Sequence, residues 1–319
     1  MPSPSLSMVH VDSALTDLSV AYRQDAAAFV AERMFPNVPV TFKSDVYYRY
    51  GQADFRRNAA KERGPSTRAP GGALSLDTGS YNCKVYSYRK DVDDQVRANQ
   101  DAGIDSDRDA AELVTQTLLI QKELKWVNTY FKTGVWGTDK TGGSDFTKWS
   151  DQASSDPFED VKLGRLQILK QTGRKPNKLL LGPEVFEYLK VHPLVLERIK
   201  YTSAESVTTA LLAKMFEVAE VMVGEASYAT SEEGATAAFS FALGKHALLC
   251  YAAPSPSLLA PSAGYTFNWK GYTKLNDMGM VMRQYRIEEI RSDVFEGDLA
   301  YDMAVVATDC GYFFNTAVD

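Results

Sequence analysis

The chain has little of what most enzymes use. Three histidines and three cysteines are spread over 319 residues. His10 lies in a Ser-rich N-terminal stretch, His192 precedes a proline at a helix break, and His246 opens a strand. Each reads as a structural or exposed residue rather than a catalytic base. Cys83, Cys250 and Cys310 are odd in number and far apart, which is no spacing for a disulfide framework or a zinc site. Cys250 ends the apolar run Ala247-Leu248-Leu249 and reads as a small core residue, in keeping with synthesis in a reducing cytoplasm. No nucleophile elbow, His-Glu-x-x-His pair or Walker loop occurs, and no Gly-x-Gly-x-x-Gly follows a strand. Gly142-Gly143-Ser144 neither follows a strand nor opens a helix, so it makes a poor phosphate cradle.

Long apolar runs and an excess of positive charge are missing too. No window approaches the roughly 18 consecutive apolar residues of a membrane span. The first ten residues lack the basic start and apolar stretch of a signal peptide, so no membrane partner is expected. A net charge of -6 argues against a tight grip on nucleic-acid phosphates, though not against loose enclosure of a nucleic acid.

What remains is an ordinary globular composition, 45% hydrophobic and 24% charged, enough for one large or two smaller domains. Residues 1–20 read as an extended arm. Tyr22, Ala26, Phe29, Val30 and Arg33 stand at helical spacing before Pro36, and Pro39 keeps the next stretch extended. Val46, Tyr47, Tyr48 and Tyr50 mark a strand over 40–50. A second strand over 81–89 sets Tyr81, Cys83, Val85 and Ser87 on one face and Lys84, Tyr86 and Tyr88 on the other. Between them, residues 53–72 carry Arg56, Arg57, Lys61, Arg63 and Arg68 among Gly64, Pro65, Pro70, Gly71 and Gly72. Strand, long basic loop and strand make a large hairpin, and a loop of that length serves a function or awaits a partner. Its tyrosines read better as cross-strand packing than as a ligand wall. The loop lacks the interleaved aromatics of a single-strand binder, which favours a protein contact.

The clearest element follows. Asp105 and Ser106 offer an N-cap, and Asp107, Asp109 and Glu112 suit the positive end of a helix. Ala110, Leu113, Thr117, Ile120, Leu124, Val127 and Phe131 then alternate by three and four up to Gly134. About 26 residues make a rod of about 39 Å. Such a helix lies across a sheet or enters a coiled coil, and the first is expected. Residues 134–156 read as loop. Asp156-Pro157 opens a helix carrying Leu163, Leu166 and Leu169 to Gly173. A strand at Lys178–Leu181, helices after Pro183 and Pro193, and a helix within 207–217 come next. Strands are expected at Glu220–Val223, Phe239–Phe241, 246–251, 266–269, 281–290 and 301–308. The class is α+β, without internal repeats. The carboxylate pairs Asp93-Asp94 and Glu288-Glu289 raise the alternative of a metal-dependent hydrolase. Strand neighbours point to opposite faces, so the pairs read as solvated charge instead.

The order of these elements resembles the HK97-type major capsid proteins of tailed double-stranded DNA bacteriophages. Ala31-Glu32-Arg33-Met34-Phe35-Pro36-Asn37-Val38-Pro39-Val40 resembles the family's junction of arm and hairpin. Residues 176–186, with His192-Pro193 and Arg198 to Thr202, look like the start of its axial domain. Val221 to Gly224 and Ala247 to Tyr251 with Pro254 are similar to that domain's later strands. The resemblance spans most of the chain and rests on order rather than on one motif. It implies an N-terminal arm at 1–40, an extended loop at 41–90, a peripheral domain with a long spine helix at 91–173 and 271–319, and an axial domain at 174–270. It implies hexamers and pentamers closing an icosahedral shell around double-stranded DNA, in the virion after assembly in host cytoplasm. No enzymatic activity and no cofactor are implied. The expected partners are further copies of the chain, a portal protein, a separate scaffold and a decoration protein; because the arm begins almost at once, scaffolding is either such a separate protein or absent. An encapsulin-type nanocompartment shell is the alternative on the same fold.

Charge then suggests how copies meet. Residues 41–70 hold seven Lys or Arg against three Asp or Glu, a balance of +4. Residues 91–112 hold eight acids against Arg97 and Arg108, a balance of -6. The expected inter-subunit contact sets Arg56, Arg57, Lys61, Arg63 and Arg68 against Asp93, Asp94 and Asp101 of a neighbour.

Overall fold

Two five-stranded sheets and one long helix organise the chain. The computed structural model describes residues 24–100, 105–200, 206–232, 234–256, 261–273 and 280–319. The expected arm at 1–20 and the residue Asp101 lie outside these.

In chain order, the first part holds α1 (Ala31–Met34), β1 (Asn37–Val40), β2 (Ser44–Tyr50), β3 (Leu76–Asn82), β4 (Lys84–Asp93), α2 (Asp94–Ala98), the spine helix α3 (Ser106–Tyr130) and β5 (Thr138–Thr141). The middle holds α4 (Pro157–Thr172), β6 (Lys178–Leu181), α5 (Pro183–Lys190), α6 (Pro193–Ile199), α7 (Thr209–Met215) and β7 (Glu220–Val223). The last part holds β8 (Ser227–Ala229), β9 (Phe239–Phe241), β10 (Ala247–Cys250), β11 (Gly264–Trp269), α8 (Lys270–Thr273), β12 (Met280–Ile287), β13 (Ser292–Val305) and β14 (Gly311–Asn315).

The first sheet is built on β13. Along one edge it pairs antiparallel with β4, from Ser292 opposite Asp93 to Tyr301 opposite Lys84. Along the other it pairs first with β12 and then, from Tyr301 onward, with β11, which pairs parallel with β1. The spine helix lies across this sheet. Gly297 permits the approach, because a Cβ there would come within 2.6 Å of Leu118 Cδ1 and 2.7 Å of Val114 Cγ1. The second sheet runs β5-β14-β10-β6-β7. Its inner strands β14, β10 and β6 are buried on both faces, which explains their apolar sequences, whereas the edge strand β5 is polar and half-buried. Leu180, Leu248 and Phe313 pack under the spine helix with Phe35, Trp126 and Tyr130. Leu179, Leu181, Leu249 and Phe314 face the helical side with Val161, Ile168, Val185 and Leu212.

Several sequence expectations are corrected here. The amphipathic helix expected up to Pro36 is only a 3-10 turn at Ala26–Ala28 and the single turn α1. The amides of Val30 and Ala31 donate to Glu123 Oε2 instead of to carbonyls one turn back. The hairpin closes through β2 and β3, from Ser44 opposite Asn82 to Tyr50 opposite Leu76. The strand expected at 81–89 is split at Cys83, because β4 leaves the hairpin to join β13. The spine helix buries Ala110, Val114, Leu118, Lys122, Glu123, Trp126 and Tyr130; of the expected series within the helix only Ala110 is among them, and Leu113 is 44% exposed. In α4, Leu163 and Leu166 are 51% and 53% exposed, while Phe158, Val161, Gly164 and Ile168 face the core. The smooth Gly164 brings that face against Leu249 and Tyr312. Finally, β13 begins nine residues before its expected start, β5 lies in a stretch expected as loop, and β14 follows the last expected strand without having been anticipated.

Candidate assembly interface

The β2–β3 hairpin projects a chain of side chains that the subunit does not cover. Phe42, Val46, Tyr48, Phe55, Leu74 and Leu76 are each more than half exposed. Isolated apolar residues on a surface need no explanation, but a run of them on one two-stranded arm marks a contact surface. The base of the hairpin is packed through Tyr47 and Tyr81 against Phe267, with Tyr81 and Phe267 stacked at 4.6 Å.

The basic residues of the loop divide into two groups. Arg56 reaches the end of α4, where its guanidinium donates to the carbonyl oxygens of Gln171 and, at 2.6 Å, Lys170. Gln52 Nε2 adds a bond to Gln171 O at 3.1 Å. A cation there meets the negative end of the helix dipole, just before Gly173 closes the helix in the left-handed region at φ 72°. Arg57 lies 3.8 Å from Asp54, and Arg63 Nε donates to Thr67 O at 2.6 Å. Arg57, Lys61, Arg63 and Arg68 are exposed. Asp54 fastens the loop's two ends, accepting from the Ser75 hydroxyl at 2.5 Å and amide at 2.6 Å. These bonds, the hydroxyl first, hold its carboxyl below the usual carboxylate range.

The acidic residues are engaged inside the subunit. Asp93 caps α2 by accepting from the Gln95 amide at 2.7 Å. Asp94 takes a two-pronged contact from Arg286 at 3.0 and 2.6 Å, which keeps its carboxyl below the ordinary range. Arg97 bridges Asp293 and Asp107, both at 2.6 Å. The network ties α2, the start of the spine helix and the β12–β13 hairpin together. Asp93 and Asp94 therefore share one region, Arg56 sits at the end of α4, and Asp101 lies outside the described residues. Sequence spacing could not reveal Arg286 as the partner of Asp94, since 192 residues separate them.

Nothing in these regions assembles an acid–base centre. Glu288 contacts Arg286 at 3.0 Å in the same ionic network. Among the described residues, no group of three or more His, Cys, Asp and Glu side chains could hold a metal ion. His192 is fully buried and caps α6, its Nδ1 accepting from the Leu194 amide at 3.3 Å while Nε2 meets Ser155 Oγ at 3.0 Å. His246 Nδ1 accepts from the Thr316 amide at 2.9 Å and its ring packs on Phe131 and Phe313. Burial lowers both histidines below their ordinary range. A groove of about 580 Å³ between the spine helix and β12 is lined by Ala111, Thr115, Leu119, Met282 and Phe295, without histidine or cysteine.

Residues 142–252 match the model of the family described as phage major capsid protein E. The major capsid protein of Burkholderia phage BcepMu is 24% identical over 311 residues, 96% of each chain. That of Pseudomonas phage JBD67 is 23% identical over 335 residues, covering 97% of each. The crystal structure of a phage-related protein from Bordetella bronchiseptica shares 25% identity and superposes with a TM-score of 0.70, over 96% of this chain and 97% of its own. The fold is that of HK97-type phage capsid proteins, and the sequence is similar to phage major capsid proteins over nearly its whole length. An encapsulin from Synechococcus elongatus has the same fold at 12% identity and a TM-score of 0.55, over 97% of this chain and 96% of its own. At that identity the likeness concerns the fold alone.

Proposed function

We propose that this chain is a phage major capsid protein that assembles as hexamers and pentamers into an icosahedral head enclosing double-stranded DNA, with no catalytic step of its own. The observation that carries this reading is the β2–β3 hairpin, whose apolar side chains lack cover in the single subunit. An arm of that kind becomes stable when a neighbouring copy buries it. In this reading residues 1–40 are the arm, 41–90 the extended loop, 91–173 and 271–319 the peripheral domain, and 174–270 the axial domain. Strands β5 and β14 join the axial sheet from outside, so the two domains share a core. Arg57, Lys61, Arg63 and Arg68 meet the acidic region of Asp93, Asp94 and Asp101 on a neighbour, while Arg56 anchors the loop. The net charge of -6 supports loose, sequence-independent proximity to DNA rather than a phosphate grip. Portal, scaffold and decoration proteins complete the partners, and assembly takes place in host cytoplasm. Near-complete coverage of phage capsid relatives in sequence supports this over a nanocompartment shell.

The test is negative-stain microscopy of the purified protein, with and without a co-expressed scaffold. Closed shells or capsomers are expected. A strictly monomeric species over a wide concentration range, with scaffold supplied, would overturn the reading.

A further inference from the structure

The single turn α1 is gripped at both ends by side chains from two different layers. At its start, Glu123 Oε2 accepts from the amides of Val30 at 3.0 Å and Ala31 at 2.9 Å. At its end, Lys178 Nζ donates to the carbonyls of Arg33 and, at 3.0 Å, Met34. The sides are held by Glu32 on Lys122 and by Arg33 on Glu220 at 2.9 Å. Lys122 and Glu123 belong to the spine helix, whereas Lys178 and Glu220 belong to β6 and β7. One turn of chain thus ties the spine helix to the second sheet, with negative charge at its amide end and positive charge at its carbonyl end.

Within this clamp Glu123 is 1% exposed, and its second oxygen, Oε1, is buried without a hydrogen-bond partner among the described residues. The charged groups around it are committed elsewhere. Lys122 engages Glu32 and lies over the Tyr301 ring, Arg33 engages Glu220, and Lys178 engages carbonyl oxygens. The charge of Glu32 opposes ionisation, and the two amide bonds favour it. Ionised, Glu123 makes two charge-assisted bonds but leaves Oε1 desolvated and orphaned. Protonated, it sheds that penalty and holds the amides less strongly. Burial, the largest influence, pushes this carboxyl up to about 7, so both forms are populated near neutral pH.

We propose that Glu123 is a proton-controlled latch on residues 30–34, gripping the turn when ionised and loosening it when protonated. The next tether upstream is Gln24, whose side chain exchanges two hydrogen bonds with the Ser227 backbone and whose carbonyl accepts from Gln116. Downstream, β1 is held by its pairing with β11. Loosening is therefore confined between these points.

Hydrogen exchange followed by mass spectrometry on the full chain tests this, with rates corrected for the intrinsic pH dependence of amide exchange. Between pH 8 and pH 6 the ionised fraction of such a group falls about tenfold. Protection of peptides covering 28–35 is expected to fall by a comparable factor, while peptides from β6 and β10 stay unchanged. In Glu123→Gln that pH dependence should vanish. Glu32→Gln should shift the wild-type transition to lower pH by removing the opposing charge, and this variant serves equally if Glu123→Gln does not fold. A wild-type profile without the transition, an equal transition in Glu123→Gln, or an unmoved one in Glu32→Gln each overturns the latch.

Discussion

Leu118 of the spine helix sits directly over Gly297 of β13, too close for any side chain between them: a Cβ on Gly297 would lie 2.6 Å from Leu118 Cδ1. The central strand has a glycine where the helix crosses it, and the distance between helix and sheet is set there. Gly297→Ala is expected to force the helix outward or bend Leu118 off its rotamer, costing about 1–3 kcal/mol. Chemical denaturation with the wild type as reference measures this, and a variant of equal stability would show that the contact is slack.

The two faces of the spine helix should respond differently to charge. Leu118→Asp places a carboxylate without a partner in the core and should unfold the subunit, while Leu118→Ala should cost about 2–5 kcal/mol. Leu113→Asp lies on the 44% exposed side and should change stability by no more than about 0.5 kcal/mol. Circular dichroism melts separate these cases. If Leu113→Asp stays folded yet loses assembly, the outer face of the helix is a contact between copies.

Acid should weaken the subunit through the buried His192 and the half-buried His246. Burial lowers His192 and His246, so the unfolded chain takes up protons before the folded one does. Their contribution is complete above the unfolded value near 6.5 and is lost as pH falls below it, by at most about 1.4 kcal/mol per pH unit for each histidine. His192→Asn keeps an acceptor for the Leu194 amide without a titrating ring. Its denaturation midpoint should therefore fall less steeply than the wild type's between pH 7 and pH 5. Parallel pH profiles would rule His192 out as a contributor.

Charge on the hairpin loop should govern assembly rather than folding. Arg57, Arg63 and Arg68 are exposed, so changing all three to Glu should leave the melting temperature nearly unaltered. Light scattering should show a reduced yield of assembled particles, and wild-type assembly should itself weaken with salt, because screening at 1 M shortens electrostatic reach to about 3 Å. Unchanged yield and salt tolerance in the triple variant would leave the loop held by its apolar residues, Phe55 and Leu74 foremost.

Local signals carried a large part of this protein. Asp105 before a 25-residue helix, Asp156-Pro157 opening another, Gly173 closing it, and the prolines at 183 and 193 act through bonds within a few residues, so those boundaries were readable. The apolar strands Lys178–Leu181 and Glu220–Val223 were equally legible, because burial on both faces leaves no polar position to blur them. The order of such elements was enough for the family resemblance. What the chain could not show alone depends on partners far away in sequence. The buried stripe of the spine helix is set by where Gly297 lets it touch β13, not by which of its residues are most apolar. Lys122 and Glu123 are buried because α1 supplies a carboxylate and two amides, 90 to 93 residues away. The acid of Asp94 is answered by Arg286 across 192 residues, so a run that looks like free negative charge is largely neutralised in place. Local bonding fixed the elements, whereas contacts between elements decided which faces they bury and which charges stay free.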